Sequence, residues 1–505
     1  MAFMHFLTLS SNSLSIKFAT LGPSNKKNTA IPIPRMAWYY IVLIAAYAGT
    51  IVSLVAVVLS ENRNPVKSLA WITVLLMVPV FGVVLYIFFG RSLKNTRMIT
   101  RRNRRRLRRQ ESYPPVDIQS LPLTPESHQQ IRMAQTLQGA IYYPGNKIDI
   151  FTDGRTKFDA LLADIDAAHS YVLMEYYIIK DDTIGTAVAD ALMRKAREGV
   201  KVRLIYDHIG SLHTPNRFFR QMQEAGIEVH PFFRVTFPHF ATRVNWRNHR
   251  KLAVIDGRIG YVGGMNIADR YIDGTGSGIW RDTHLRVEGP AVGAIQYAVA
   301  VDWSFMGQPL ILDTPSTRQE HHPGAGIQLI TSGPTSHWSN IAMLFHKAIA
   351  NARRRVYIQT PYFLPTDSLL RALQAAALAK VDVRIMIPAR SDSTILTYAS
   401  FSYVQECLRS GVKVYLYNAG MLHAKTVIVD DEFISVGSAN FDFRSFEHNF
   451  ESNVMIYSRE INAEMTHIFF EDIAMSERVH PGTWQKRPRA QKAKESMVRL
   501  LSPIL

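Results

Sequence analysis

The apolar positions of this chain fall into two regimes. Near the start stand two unbroken hydrophobic runs, AWYYIVLIAAYAGTIVSLVAVVLS at residues 37–60 and LAWITVLLMVPVFGVVLYIFFG at residues 69–90. Neither carries a charge, and each can cross about 30 Å of hydrocarbon at about 1.5 Å per residue, so they predict two transmembrane helices. The link ENRNPVKS is short and forces an antiparallel hairpin. A signal peptide followed by a buried helix is the alternative. The first run is longer than a signal core, and the second follows at once.

From Tyr113 onward the pattern changes to short apolar strands alternating with amphipathic helices: KIDIF, then TKFDALLADIDAA, YVLMEYYII, TAVADALMRKAREG and VKVRLIYD. Such alternation predicts an α/β fold with a mixed sheet. The order then recurs. AIANARRRVYIQTPYFL answers DIDAAHSYVLMEYYI, and YVQECLRSGVKVYLYN answers FFRQMQEAGIEVHPFF, with Tyr177 and Gly226 each matched 185 positions on by Tyr362 and Gly411. The chain therefore divides into a tail (1–36), the two spans, a linker (91–112) and two duplicated halves, 113–320 and 321–505. The tail is Ser-rich and acid-free. It reads as a loose or weakly targeting segment, or as sequence ahead of a start at Met36.

Charge sharpens this plan. The net charge of +17 suggests an anionic partner. Residues 1–110, however, hold 16 of the 58 basic residues and one of the 41 acidic ones, Glu61, which leaves 42 against 40 for the rest. The body is nearly neutral, which argues against a nucleic-acid partner. The excess is concentrated in RSLKNTRMITRRNRRRLRRQ, directly after the second apolar run. By the positive-inside rule this run and the body that follows lie in the cytoplasm, and the cluster attracts anionic lipid headgroups. The one cysteine, Cys407, excludes a disulfide framework and any multi-cysteine zinc site. The pair His321 and His322 reads as solvated loop.

The chemistry lies in two stretches, NHRKLAVIDGRIGYVGGMN at 248–266 and LHAKTVIVDDEFISVGSANFD at 422–442. His249, Lys251, Asp256, Gly263 and Asn266 recur with identical spacing as His423, Lys425, Asp430, Gly437 and Asn440, 174 positions later. His and Lys two apart on a strand share a face, so an imidazole and an ammonium meet one anion while Arg250 and Ala424 point away. Five extended residues span about 16 Å, which places Asp256 and Asp430 at the hairpin turns, where a carboxylate holds backbone donors or a neighbouring chain. The returning strand brings each Asn back beside its His. Lysine is a poor metal ligand and no glycine-rich nucleotide loop is present, so no metal and no cofactor is expected.

This HxKxxxxDxxxxxxGxxN pattern, met twice, resembles the signature of the phospholipase D superfamily. NPVKSLAW, WRDTHLRVEGPAV and SANFDFRSFEHNFE, over residues 37–505, resemble its bacterial cardiolipin synthases. The resemblance implies that the two motifs meet at a pseudo-twofold interface as one active site in the inner bacterial membrane. It implies a transferase of substituted phosphate groups that makes cardiolipin and glycerol from two phosphatidylglycerol molecules. The motif residues, His249, Lys251, Asp256, His423, Lys425 and Asp430, would form the catalytic set, with His249 the nucleophile that forms a phosphatidyl-histidine and His423 the acid and then the base. Lys251, Lys425, Asn266 and Asn440, with Ser438, would bind phosphate. Asp282 and Glu451 would orient the histidines through their other nitrogen. Arg444 would contact a headgroup or Asp442, and Tyr176 and Tyr177 read as core, with lining of the lipid channel as the alternative. A lipid hydrolase, another phosphatidyltransferase, a nuclease and a non-catalytic membrane scaffold are the competing readings, and oligomeric state is left open.

Overall fold

The computed structural model describes residues 35–60, 65–86, 93, 96–110, 113–235, 245–276, 278–312, 324–500 and 502, in two compact units divided after Tyr86. Outside the described residues lie most of the tail, His321 and His322, the boundary at 320, and parts of the two links at 61–68 and 91–112.

In the first unit, α1 (Arg35–Ser60) contains the one described helix that is by itself long and apolar enough to cross a membrane, Trp38–Ala56. The second apolar run is two pieces, α2 (Pro65–Met77) and α3 (Pro79–Leu85). Pro79 has no N–H to donate and ends the first piece. Val78 still donates to the Val74 carbonyl at 3.0 Å and accepts from Gly82 at 2.6 Å, so the run is kinked rather than severed. Both pieces pack on α1.

The second unit is built on one mixed sheet of sixteen strands, two of them short, Arg247–Asn248 and Ser476–Arg478; the other fourteen divide evenly between the halves. Seven come from the first half: β1 (Tyr143–Phe151), β2 (Tyr171–Tyr176), β3 (Lys201–Asp207), β4 (Glu228–Phe232), β5 (Lys251–Ile255), β6 (Ile259–Gly263) and β7 (His284–Glu288). Seven come from the second: β8 (Ala325–Ser332), β9 (Arg355–Gln359), β10 (Asp382–Pro388), β11 (Lys413–Tyr417), β12 (Thr426–Val429), β13 (Phe433–Gly437) and β14 (Asn449–Tyr457). The spatial order is β11-β10-β9-β12-β13-β14-β8-β1-β7-β6-β5-β2-β3-β4. Reading outward from the central antiparallel pair β1·β8, the two halves follow the same plan: β2, β3 and β4 pair in parallel, as do β9, β10 and β11, and the other ladders are antiparallel. The duplication read from the sequence is thus present strand for strand.

Helices after β2, β3, β9 and β10 bury their apolar stripes on the sheet, as parallel connections require. The helix Pro125–Gln138 belongs by sequence to the first half but packs in the second half's core, where Ile131 and Ala134 meet Ile341 and Phe345. Its start is held there by Glu432, which accepts from the Thr124 N–H at 2.8 Å and from the Ser127 hydroxyl. A core shared by β7, β8 and β14 then makes the two halves one body.

Candidate active site

Each motif is a β-hairpin, β5–β6 in the first half and β12–β13 in the second. At each turn the Asp takes a left-handed backbone, φ 50° at Asp256 and 51° at Asp430. Asp256 accepts from the N–H groups of His169, Ser170 and Tyr171, each at 2.8 Å, at the start of β2. Asp430 accepts from those of Arg353, Arg354 and Arg355 at 2.8–3.2 Å, at the start of β9. Both carboxylates therefore fasten the hairpin to the neighbouring strand, and their grouping with the reacting residues is revised to a positioning role.

Two short parallel pairings bring the opposite ends of the hairpins together. Arg247–Asn248 pairs with Asn449–Phe450, and Gly420–Leu422 pairs with Ile279–Arg281. The His249 N–H donates to the Phe450 carbonyl at 2.9 Å, and the His423 N–H donates to the Arg281 carbonyl at 2.7 Å. Each histidine is thereby seated one residue from an acid of the other half. Gly420, at φ 152°, allows this approach, because a Cβ there would stand 2.1 Å from the Ile279 carbonyl oxygen.

The resulting pairs are crossed. His249 Nδ1 lies 3.0 Å from both oxygens of Glu451, which follows the second motif. His423 Nδ1 lies 2.6 Å from Asp282, which follows the first. A carboxylate only accepts, so each Nδ1 carries the hydrogen and each Nε2 keeps a lone pair or takes the mobile proton. Lys251 Nζ donates to the His249 carbonyl at 2.5 Å, and Lys425 Nζ lies 2.8 Å from His423 Nδ1. All four cationic side chains and both acids are buried.

Burial governs the electrostatics. It pushes His249 below its usual range, with Lys251 adding to the effect against Glu451. Burial and Lys425 push His423 down to about 4 despite Asp282. Burial likewise lowers Lys251, and takes Lys425 to about 8. Asp282 and Glu451 go the other way: burial would raise them, but Lys425 and His423 hold Asp282 low, and His249 and Lys251 hold Glu451 low. The site thus holds two imidazoles and two lysines whose charging burial opposes, beside two carboxylates that their cationic neighbours keep ionised.

The other candidate residues are placed as follows. Asn440 donates to Asp442 at 3.1 Å, and its buried carbonyl oxygen has no protein partner. Asn266 accepts from the Ile178 N–H at 3.1 Å and donates to the Tyr271 hydroxyl at 2.7 Å, leaving one amide hydrogen for a ligand. The Ser438 hydroxyl donates to Glu451 and accepts from the Ser452 N–H at 3.0 Å, so it braces the acid behind His249. Arg444 bonds the Asn245 carbonyl at 2.9 Å, while Asp442 caps the helix Phe443–Glu447. Tyr176 is core, but the Tyr177 ring stands edge-on to His249 at 4.9 Å. Trp280 and Tyr271, which sequence reasoning missed, flank His423 at 5.2 and 5.8 Å. WRDT, which carries Trp280, was the available signal.

A duplicated mixed sheet in which two His-x-Lys hairpins meet and exchange carboxylates is the architecture of a phospholipase D-type protein. The family model described as "Cardiolipin synthase, PLD-like domain" matches residues 161–276 and 345–473, one segment around each motif. The chain is 40% identical over 463 residues to the major cardiolipin synthase ClsA of Bacillus subtilis (strain 168), covering 89% of this chain and 96% of that one. It is also 40% identical over 461 residues to the cardiolipin synthase of Listeria monocytogenes serotype 4b (strain CLIP80459), covering 88% and 95%. It belongs to the cardiolipin synthase family, which makes it a phosphatidyltransferase. A model for a "Phospholipase D-nuclease N-terminal" region matches residues 48–91. Among solved structures, phosphatidylserine synthase of Haemophilus influenzae Rd KW20 shares the fold, with a TM-score of 0.57 at 14% identity, covering 75% of this chain and all of that one.

Proposed function

We propose that the chain transfers a phosphatidyl group from one phosphatidylglycerol to the primary hydroxyl of another, through a phosphatidyl-histidine. The observation that carries this reading is the crossed pairing, which binds each imidazole through Nδ1 and leaves its Nε2 for chemistry, beside two buried lysines. His249 Nε2 attacks phosphorus, the bond to the glycerol headgroup breaks, and the departing oxygen takes its proton from His423 Nε2. The second phosphatidylglycerol then gives its hydroxyl proton to His423, attacks the phosphorus–nitrogen bond and frees His249. One phosphodiester replaces another, so two phosphatidylglycerols yield one cardiolipin and one glycerol.

The division of labour follows from what backs each imidazole. Glu451 is shared among His249, Ser438 and Asn449, so its charge is spread and His249 stays the neutral nucleophile. Asp282 gives His423 a single short bond and stabilises the imidazolium formed when the bound anionic substrate raises the affinity of His423 for a proton taken from solvent. Lys251 and Lys425 supply positive charge to the non-bridging oxygens as the pentacoordinate transition state forms, with Asn440 and the remaining hydrogen of Asn266 as amide donors. The apolar helix α1 and the kinked run after it are read as a membrane hairpin, with the body on the cytoplasmic side.

Product analysis with the purified full chain tests this. Given phosphatidylglycerol alone in mixed micelles, with a chelator present, cardiolipin and glycerol should form in equal amounts. Phosphatidic acid as the main product would make the protein a hydrolase.

A further inference from the structure

On the body, the basic helix α4 (Arg101–Gln110) closes one side of a cavity of about 510 Å³ that none of the catalytic histidines or lysines lines. The helix is seated, not merely charged. Leu107 and Ile99 are buried in the core shared by the two halves. Arg108 donates to the carbonyls of Gln138 at 2.8 Å and Gly139 at 3.3 Å and lies 5.7 Å over the Tyr297 ring. Gly139, at φ 70°, leaves the guanidinium its place, since a Cβ there would meet it at 2.7 Å.

The lining is chemically mixed: Arg97, Arg104 and Arg108 supply guanidinium groups, Ala298 and Val301 of the helix Val292–Phe305 supply apolar surface, and the half-exposed Trp338 lines it too. Among the described residues no acidic side chain lines it. Arg250, which reaches it from the back of the first motif, is already paired with Asp302. A volume of this size suits a small ligand, and arginines are the preferred donors for phosphate oxygens. Guanidinium groups and apolar side chains in one cavity match a molecule with a phosphate at one end and hydrocarbon at the other.

We propose that this cavity is a second, non-catalytic site for the phosphate headgroup of an anionic phospholipid. It uses none of the reacting residues, so it stands or falls separately from the proposed reaction. Free phosphate would engage the arginines alone and leave the apolar side chains idle.

Native mass spectrometry of the full chain in neutral detergent tests the proposal, with dioctanoyl phosphatidic acid, dioctanoyl phosphatidylcholine or inorganic phosphate as the probe. The comparison is between the wild type, R97Q/R104Q, whose two side chains are exposed and leave the fold alone, and Val301→Trp, which adds bulk at the apolar surface. The catalytic site is the same in all three, so differences report the cavity. Phosphatidic acid should bind the wild type at least about tenfold more tightly than R97Q/R104Q, as the loss of charge-assisted contacts predicts, and Val301→Trp should weaken it as well. Equal binding by all three proteins would overturn the site. Phosphatidylcholine bound as tightly as phosphatidic acid would overturn its charge selectivity, and displacement by an equal concentration of inorganic phosphate would overturn the lipid.

Discussion

The two halves share a strand plan and differ in what stands behind each histidine. Behind His249 is Glu451, bonded by Ser438 and Asn449. Behind His423 is Asp282, and at the position matching Ser438 the first half has Gly264, where a Cβ would collide with the Asp282 carboxylate at 2.1 Å. The shorter acid thus comes with a bare backbone and a tight bond, and the longer one with a hydroxyl brace and a divided bond. Duplication supplied the geometry twice, and the proposed division of roles rests on the differences around it.

Replacing the histidines tests that separation most severely. His249→Asn and His423→Asn should each lower turnover of phosphatidylglycerol by about 10⁴-fold or more. With a phosphatidyl ester of an activated phenol, His423→Asn should still give a burst of phenol, because that leaving group needs little protonation, while His249→Asn gives none. The opposite pattern would exchange the assignments, and equal bursts would abolish them.

The crossed acids come next. Glu451→Gln and Asp282→Asn should each cost roughly 10²–10⁴-fold, as loss of a carboxylate behind a catalytic imidazole does elsewhere. The informative result is which histidine each one imitates. Glu451→Gln should lose the burst like His249→Asn, and Asp282→Asn should retain it like His423→Asn. Acids acting within their own halves would show the reverse.

A smaller effect concerns pH and stability. His423 is held at about 4, below the usual value of 6.5, so the unfolded chain binds more protons between these values and stability falls as pH drops through that window. From pH 7 to pH 5 the contribution lost is about 2 kcal/mol. Burial raises Asp207 to about 6, which acts in the opposite sense, so the measurement is the difference between wild type and His423→Gln in thermal unfolding at each pH. The advantage of the wild type should shrink on acidification, and a constant difference would contradict a depressed His423.

The smallest effect is expected at Glu175. It faces Leu252 in its ladder as Gln359 faces Thr426, so the two occupy matching places. Burial and the neighbouring Asp302 push Glu175 well up, towards the neutral form, and at the matching place the amide of Gln359 donates to Asp472 at 2.7 Å. Glu175→Gln should therefore change Tm by less than about 3 °C and activity by less than about threefold, whereas Glu175→Ala leaves buried Asn248 and Asp302 short of a partner. A large loss in Glu175→Gln would mean that the proton on Glu175 matters to the chemistry.

Much of this was legible in the sequence. Strand periodicity, helix alternation and ordered repeats gave the duplicated α/β halves, and the reach of an extended chain separated Asp256 and Asp430 from the anion. The crossing was not legible. Asp282 lies 33 positions after His249 and Glu451 lies 28 after His423, and spacing along the chain does not reveal which imidazole faces which acid once two halves dock. The bond from Ser438 to Glu451 was hidden for the same reason, because its acceptor comes from another strand. The seat of α4 was hidden because Leu107 is a single apolar residue among arginines. The kink at Pro79 shows in the sequence only as one proline inside an otherwise unbroken apolar run.

The crossed bonds also tie catalytic competence to the mutual orientation of the halves. A small rotation of one against the other would detach both imidazoles from their acids together, even with every helix and strand intact. Activity is therefore a gauge of docking: heat or denaturant that loosens the seam between β1 and β8 would silence the protein while its spectroscopic signature of folded structure persisted.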